Sequence, residues 1–206
     1  LAVAAITVLC LADMWDVNKR YLNDSDFTPK SSQQQMFAKT PTDEYILQDP
    51  TLYYRVLNMA TSTFNDGVTP YYHKVIGGYH AAKLRRYQDI IDIHLAKEMG
   101  QLQNDIYETQ GTLDSVNTEG FKVLNMLNAK WVIMPGQEGT IPIENPYAMG
   151  NAWFVDEVKF ADNADTEIDA LFDINLHTQA VADKQFERAI GDLSNTPKDS
   201  TAHIEL

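Results

Sequence analysis

The chain has 206 residues, 44% of them hydrophobic, and 29 acidic against 16 basic side chains give a formal net charge of -13. This length and apolar content suffice to bury a core, which excludes a disordered chain, and the acidic excess excludes nucleic acid and anionic membrane surfaces as general partners. One cysteine, Cys10, excludes an internal disulfide and a thiolate metal centre.

The opening run LAVAAITVLCLA carries no charge. As a helix it reaches about 18 Å, short of the roughly 30 Å core of a bilayer, and it lacks the basic flank of a signal peptide. Two readings fit: a buried parallel strand over 4–12, or the final turns of a transmembrane helix. The β-branched Val3, Ile6, Thr7 and Val8 favour the strand, with Cys10 buried inside it and Asp13 at its C-terminal end. Residues 23–40 are polar and rich in glutamine, as suits an excursion over the surface.

Thr42, Asp43 and Glu44 start a short helix that stops at Asp49-Pro50. A second strand covers 53–59, and the unit 64–99 follows it. Residues 100–118 are a softer, polar stretch. A helix over about 119–128 gives way to an apolar strand at 130–134, and the proline-rich segment 135–146 is a loop or hairpin connection. Residues 151–160 read as a strand, 165–172 as a helix with Ile168 and Leu171 inward, and 179–182 as a last core strand. Strands alternating with helices predict an α/β layered fold with a mixed, mostly parallel sheet flanked by helices. A single domain spans 1–190, and 191–206 form a polar tail whose final residues, 203–206, resemble a strand just beginning.

The run FNDGVTPYYHKVIGGYHAAKLRRYQDIIDIHL, residues 64–95, is chemically unlike its surroundings. No acid lies between Asp66 and Asp89, while Lys74, Lys83, Arg85 and Arg86 are basic. Gly77 and Gly78 precede a helix whose start would present free N–H groups to an anion. The candidate ligand-binding residues are therefore Tyr72, His73, Lys74, Gly77, Gly78, Tyr79, His80 and Lys83. A plainer reading of the same run is an amphipathic helix with Leu84, Tyr87, Ile91 and Leu95 facing a core.

No phosphate-binding loop, serine elbow or metalloprotease motif occurs, so the sequence calls for no cofactor, no metal and no catalytic set. His94 on its helix suits a partly buried, hydrogen-bonded role. Asp13 and Asp66 sit where open α/β sheets keep ligands, as acid/base groups or as turn and cap formers. Trp15, Trp131 and Trp153 suit core packing better than sugar stacking.

The blocks DMWDVNKRYLND (13–24), YRVLN (54–58), TFNDGVTPYYHKVIGGYHAAKLRRYQDIID (63–92), LNMLNAKWVI (124–133) and NPYAMGNAWFVDEVK (145–159) together resemble the extracytoplasmic region of YfhO-like bacterial membrane proteins. The resemblance covers most of residues 10–185, and the 63–92 block is its most specific part. It implies a polytopic parent in the inner membrane, similar to the GT-C glycosyltransferases that move a sugar from a polyprenyl-phosphate carrier. The partners it implies are the parent's own transmembrane part and a glycan or polyprenyl-phosphate sugar. In such enzymes the catalytic carboxylate is expected in an early loop between membrane helices, so no catalytic residue carries over. The other class open to this sequence is a non-enzymatic cell-envelope interaction module.

Overall fold

A computed structural model of the protein describes residues 1–109, 118–191, 201 and 204. They fall into two compact units, Leu1–Lys39 and Thr40–Leu206.

The first unit holds α1 (Ala2–Tyr21), a 3₁₀ turn at Asp24–Asp26 and α2 (Lys30–Met36). The strand expected over 4–12 is therefore a helix, and no residue of α1 is buried. Ala2, Ala4, Ala5, Leu9, Leu11 and Ala12 are strong helix formers, and they outweigh the mild strand bias of the β-branched positions. Cys10 is exposed rather than buried, Asp13 lies mid-helix rather than at a strand end, and Trp15 is 64% exposed rather than packed. The glutamine-rich run forms the short, exposed α2.

In the second unit α3 (Pro41–Ile46) starts one residue before the expected position. Thr40 is its cap: the Thr40 hydroxyl accepts the Asp43 N–H while the Asp43 carboxylate accepts the Thr40 N–H. The strand β1 (Arg55–Asn58) follows, then a 3₁₀ turn at Thr69–Tyr71. A continuous helical rod runs through α4 (Arg85–Ile90), a π-helical turn at Ile91–Leu95 and α5 (Ala96–Glu108). After the short α6 (Lys122–Met126) come β2 (Ala129–Gly136) and β3 (Gly139–Glu144). The chain continues through β4 (Glu157–Ala161), α7 (Ala164–Ala170), β5 (Gln179–Asp183) and α8 (Glu187–Ile190).

The strands form two sheets. In the first, β1 pairs parallel with β2, with Leu57 opposite Val132, and β2 pairs antiparallel with β3 through a tight hairpin, Gly136 opposite Gly139. On its other edge β1 gains a short parallel bridge, Val56 to Val75, with the Val56 N–H donating to the Lys74 carbonyl at 2.7 Å and the Ile76 N–H donating to the Val56 carbonyl at 3.1 Å. The second sheet pairs β4 parallel with β5, with α7 as the crossover. The architecture is an α/β layered fold with a mixed sheet.

The period-2 alternation of the strands explains the layering. Leu57, Val132 and Met134 pack on one side with Ile91, Leu95, Leu102 and Ile106 of the helical rod. Val56, Trp131 and Ile133 turn to the other side and meet Ile46 of α3. At about 25 cal/mol per Å² of apolar surface, each of these fully buried side chains contributes about 1.5–3 kcal/mol before its entropy cost. Leu84, expected on the core face, is 76% exposed because it sits outside the rod as its N-cap. The softer stretch expected over 100–118 is helical as far as Glu108, while residues 110–117 and most of the expected tail, 191–206, lie outside the described residues.

Candidate functional site

The basic, tyrosine-rich run does not begin a helix at Gly77-Gly78. The helical rod starts at Arg85, seven residues after Gly78, and the Gly78 N–H already donates to the Thr63 carbonyl at 2.6 Å. Gly77 is required by contact: a Cβ there would lie 1.9 Å from the Thr63 carbonyl oxygen. Gly78 has a φ of 91°, a left-handed backbone that glycine adopts without strain. The two glycines therefore let 74–79 run close against the loop that follows β1.

The remaining sequence-predicted residues diverge from this point. Lys74 lies over the Tyr53 ring, 3.9 Å from its centroid, while Lys83 lies over the Phe64 ring at 5.0 Å. Tyr72 packs edge-to-face on Tyr71, Tyr79 is exposed, and His80 is exposed with its Nδ1 accepting the Ala82 N–H at 3.1 Å. His73 is buried, and its Nε2 pairs with the Asp43 carboxylate at 2.9 Å. Arg85 pairs with Asp89 at 2.8 Å, one turn along the same helix. Together with Arg86, these two residues border a groove of about 500 Å³ floored by Ile90, Ile93, Ile168, Leu171 and Val181. Burial would raise the Asp43 carboxyl, but hydrogen bonds from the Thr40 N–H and hydroxyl, with His73 beside it, hold it below the usual carboxylate range.

Asp66 is a turn former. Its carboxylate accepts the Val68 N–H at 2.8 Å, the Thr69 N–H at 3.3 Å and the Thr61 hydroxyl at 3.2 Å, as well as the Thr69 hydroxyl. These bonds outweigh burial and lower its pKa. His94 is buried, stands 4.1 Å from the Phe172 ring centroid, and bonds through Nε2 to the Ile168 carbonyl at 2.8 Å. Trp131 and Trp153 place their indole N–H groups on Asp49 and on the Leu176 carbonyl, as packed tryptophans do. Among the described residues no group of three His, Cys, Asp or Glu side chains is placed to hold a metal ion.

A polar cleft that sequence reasoning missed lies near the starts of β1 and β2. It measures about 380 Å³, and its polar lining includes Thr51, Asn128, Lys130, Glu144 and Asn151. Asn128 ends the short connection from α6 into β2 with a φ of 57°, and Tyr53, just before β1, has a φ of 66°. The Asn128 Nδ2 donates to the Tyr53 carbonyl at 3.3 Å and to the Asn151 Oδ1 at 3.2 Å. Lys130 donates to Asp49 at 2.6 Å and to the Thr51 hydroxyl at 2.9 Å, and stands 3.8 Å from the Glu144 carboxylate. Burial would raise the Asp49 carboxyl, yet Lys130, Thr51 and the Trp131 N–H hold it well below the usual range. Asn145 also lines the cleft and is satisfied on both sides: its Nδ2 donates to the Asn125 Oδ1 and the Ala129 carbonyl, and its Oδ1 accepts from Thr118 and the Tyr147 N–H. The available signal was Asn-rich punctuation, Asn128 between a helix and a strand and Asn151 after Gly150, which reads as turn chemistry until the fold brings the turns together.

No family model matches the chain, and neither a curated protein nor a solved structure is detectably similar to it.

Proposed function

We propose that this chain is the extracytoplasmic domain of a polytopic bacterial membrane protein resembling the YfhO-like and GT-C glycosyltransferase class. In this reading it stands on the outer face of the inner membrane and holds a glycan acceptor or a polyprenyl-phosphate sugar without itself catalysing transfer. One observation supports it above the others: residues 1–12 form an uncharged helical segment with no buried residue. A helix that is apolar all round suits lipid or other membrane helices far better than water. Trp15 and Tyr21 follow it, and these are the residue types enriched where a bilayer meets water. No helix among the described residues is long and apolar enough to cross a membrane, so the segment would seat against the parent's transmembrane part. The non-catalytic half of the reading is supported by Asp66, whose carboxylate oxygens accept internal hydrogen bonds, and by His94, whose Nε2 is bonded to the Ile168 carbonyl. A cell-envelope scaffold is the second reading, favoured by the same helix as a surface for a partner's helix.

The lone Cys10 permits a direct test without introducing any new cysteine. A polarity-sensitive fluorophore on Cys10 should shift to the blue when the chain meets phosphatidylcholine vesicles, and the labelled chain should float with them. The exposed substitutions Ile6→Asp and Leu9→Asp should abolish both effects. A chain that stays in the aqueous fraction with an unshifted spectrum overturns the membrane reading.

A further inference from the structure

We infer that the cleft bounded by Asn128, Lys130, Glu144 and Asn151 binds a neutral polyhydroxylated ligand, in chemical terms a sugar ring. The charges of the cleft favour a neutral ligand. Lys130 is matched by Asp49 at 2.6 Å, and Glu144 adds a second negative group, so a phosphate or carboxylate would meet net repulsion. A cation approaching Glu144 would meet the Lys130 ammonium 3.8 Å away. A neutral ligand with many hydroxyls meets neither penalty.

The atoms left over after the internal bonds are formed suit hydroxyl groups. Asn128 spends both Nδ2 protons on Tyr53 and Asn151, and its Oδ1 takes no bond from the described residues. Asn151 spends its Oδ1 on Asn128 and keeps both Nδ2 protons. Glu144 has no hydrogen-bond partner at its carboxylate among the described residues, and Lys130 has spent two of its three N–H groups. One amide acceptor, one amide donor, a carboxylate and an ammonium proton therefore converge on one cleft. Vicinal hydroxyls, each donating and accepting, satisfy such an alternation, which a simple ion or a hydrocarbon does not. The C–H face of a pyranose would rest on Leu52, Pro146, Ala148 and Ala152. A volume of about 380 Å³ falls in the range of small-molecule sites.

Internal bonds hold the polar walls of the cleft in place. Asn128 is buried and pinned by Tyr53, Lys130 by Asp49, and Asn145 in the wall by Asn125. Asn128 in its lining and Tyr53, whose carbonyl holds the Asn128 amide, are both non-glycine residues with left-handed backbone, and such strain gathers where a fixed geometry is used. This inference gives the glycan of the preceding reading a place, but vesicle binding and sugar binding are separate measurements, and either can fail alone.

The test titrates the full chain, labelled with ¹⁵N, with methyl glucoside, methyl galactoside, methyl mannoside and N-acetylglucosamine, using inorganic phosphate as the charged comparison. At least one sugar should shift the Asn128 and Asn151 side-chain amides and the Lys130 backbone amide saturably. Asn151→Ala and Glu144→Ala, both at exposed positions, should each weaken that binding about ten-fold while the rest of the spectrum stays in place. The inference is overturned by the absence of any saturable shift up to about 50 mM sugar. It is equally overturned by binding that both variants retain, or by phosphate shifting these amides while the sugars do not.

Discussion

The Asn128 side chain donates to the carbonyl of Tyr53 at 3.3 Å, across 75 residues of sequence, and both residues hold a left-handed backbone. This contact ties the start of β1 to the start of β2 and fixes the two turns that lead into the parallel pair. The Asn128 carbonyl completes it by accepting the Arg55 N–H at 2.9 Å. Asparagine tolerates left-handed φ better than other residues with a Cβ, so it serves here both as a backbone turn and as a donor.

Replacing Asn128 separates the two roles. Asn128→Gly keeps the left-handed backbone and loses the hydrogen bonds, so it should destabilise by about 1 kcal/mol. Asn128→Ala loses the bonds and adds backbone strain, so about 2–3 kcal/mol is expected. Urea unfolding of both variants measures this order, and equal losses would show that the backbone conformation is irrelevant.

Gly77 and Gly67 make a matched pair. Alanine at 77 would drive its Cβ into the backbone of Thr63, whereas nothing lies within 4 Å of a Cβ at 67. Gly77→Ala should cost more than about 3 kcal/mol or prevent folding, and Gly67→Ala should change stability by less than about 1 kcal/mol. A Gly77→Ala chain with the parent's melting temperature would refute the close approach of 74–79 to the loop after β1.

Acid should unfold the protein through its structural carboxylates. Asp43, Asp49 and Asp66 are each held low by hydrogen bonds that outweigh burial. A lowered folded pKa gives stability that is fully present above the unfolded value, about 3.9, and is lost as pH falls through the folded value. Glu98 works in the opposite sense. Its carboxyl is raised by burial, despite hydrogen bonds from the Val123 and Leu124 N–H groups that begin α6. Its stabilisation is therefore present in acid and lost as pH rises through the raised value. The three aspartates outnumber it, so melting temperatures should fall steadily below about pH 4. Asp49→Asn should flatten that acid limb, and an unchanged slope would count against the Asp49–Lys130 pairing as its source.

Much of the fold was legible in the sequence because its signals are local. The strands around Val56, Val132 and Ala180 are short apolar runs bounded by turn residues, and the helices around Ile91 and Ile168 carry apolar residues at helical spacing, so one segment can state each alone. The segment 1–12 was misread because an apolar run without polar punctuation has no period, and β-branching could not decide between strand and helix against its alanines and leucines. The candidate site divided along the same line. By itself the sequence determined a basic, glycine-containing run at 71–86, along with the residues that could serve there. Only the tertiary structure decided that Gly78 spends its N–H on Thr63, that Lys74 and Lys83 lie over different rings, and that His73 faces Asp43. It alone assembled Asn128, Lys130, Glu144 and Asn151 into one cleft. Hydrogen-bond partners far apart in sequence are chosen by packing, and no local pattern encodes which free donor will meet which acceptor.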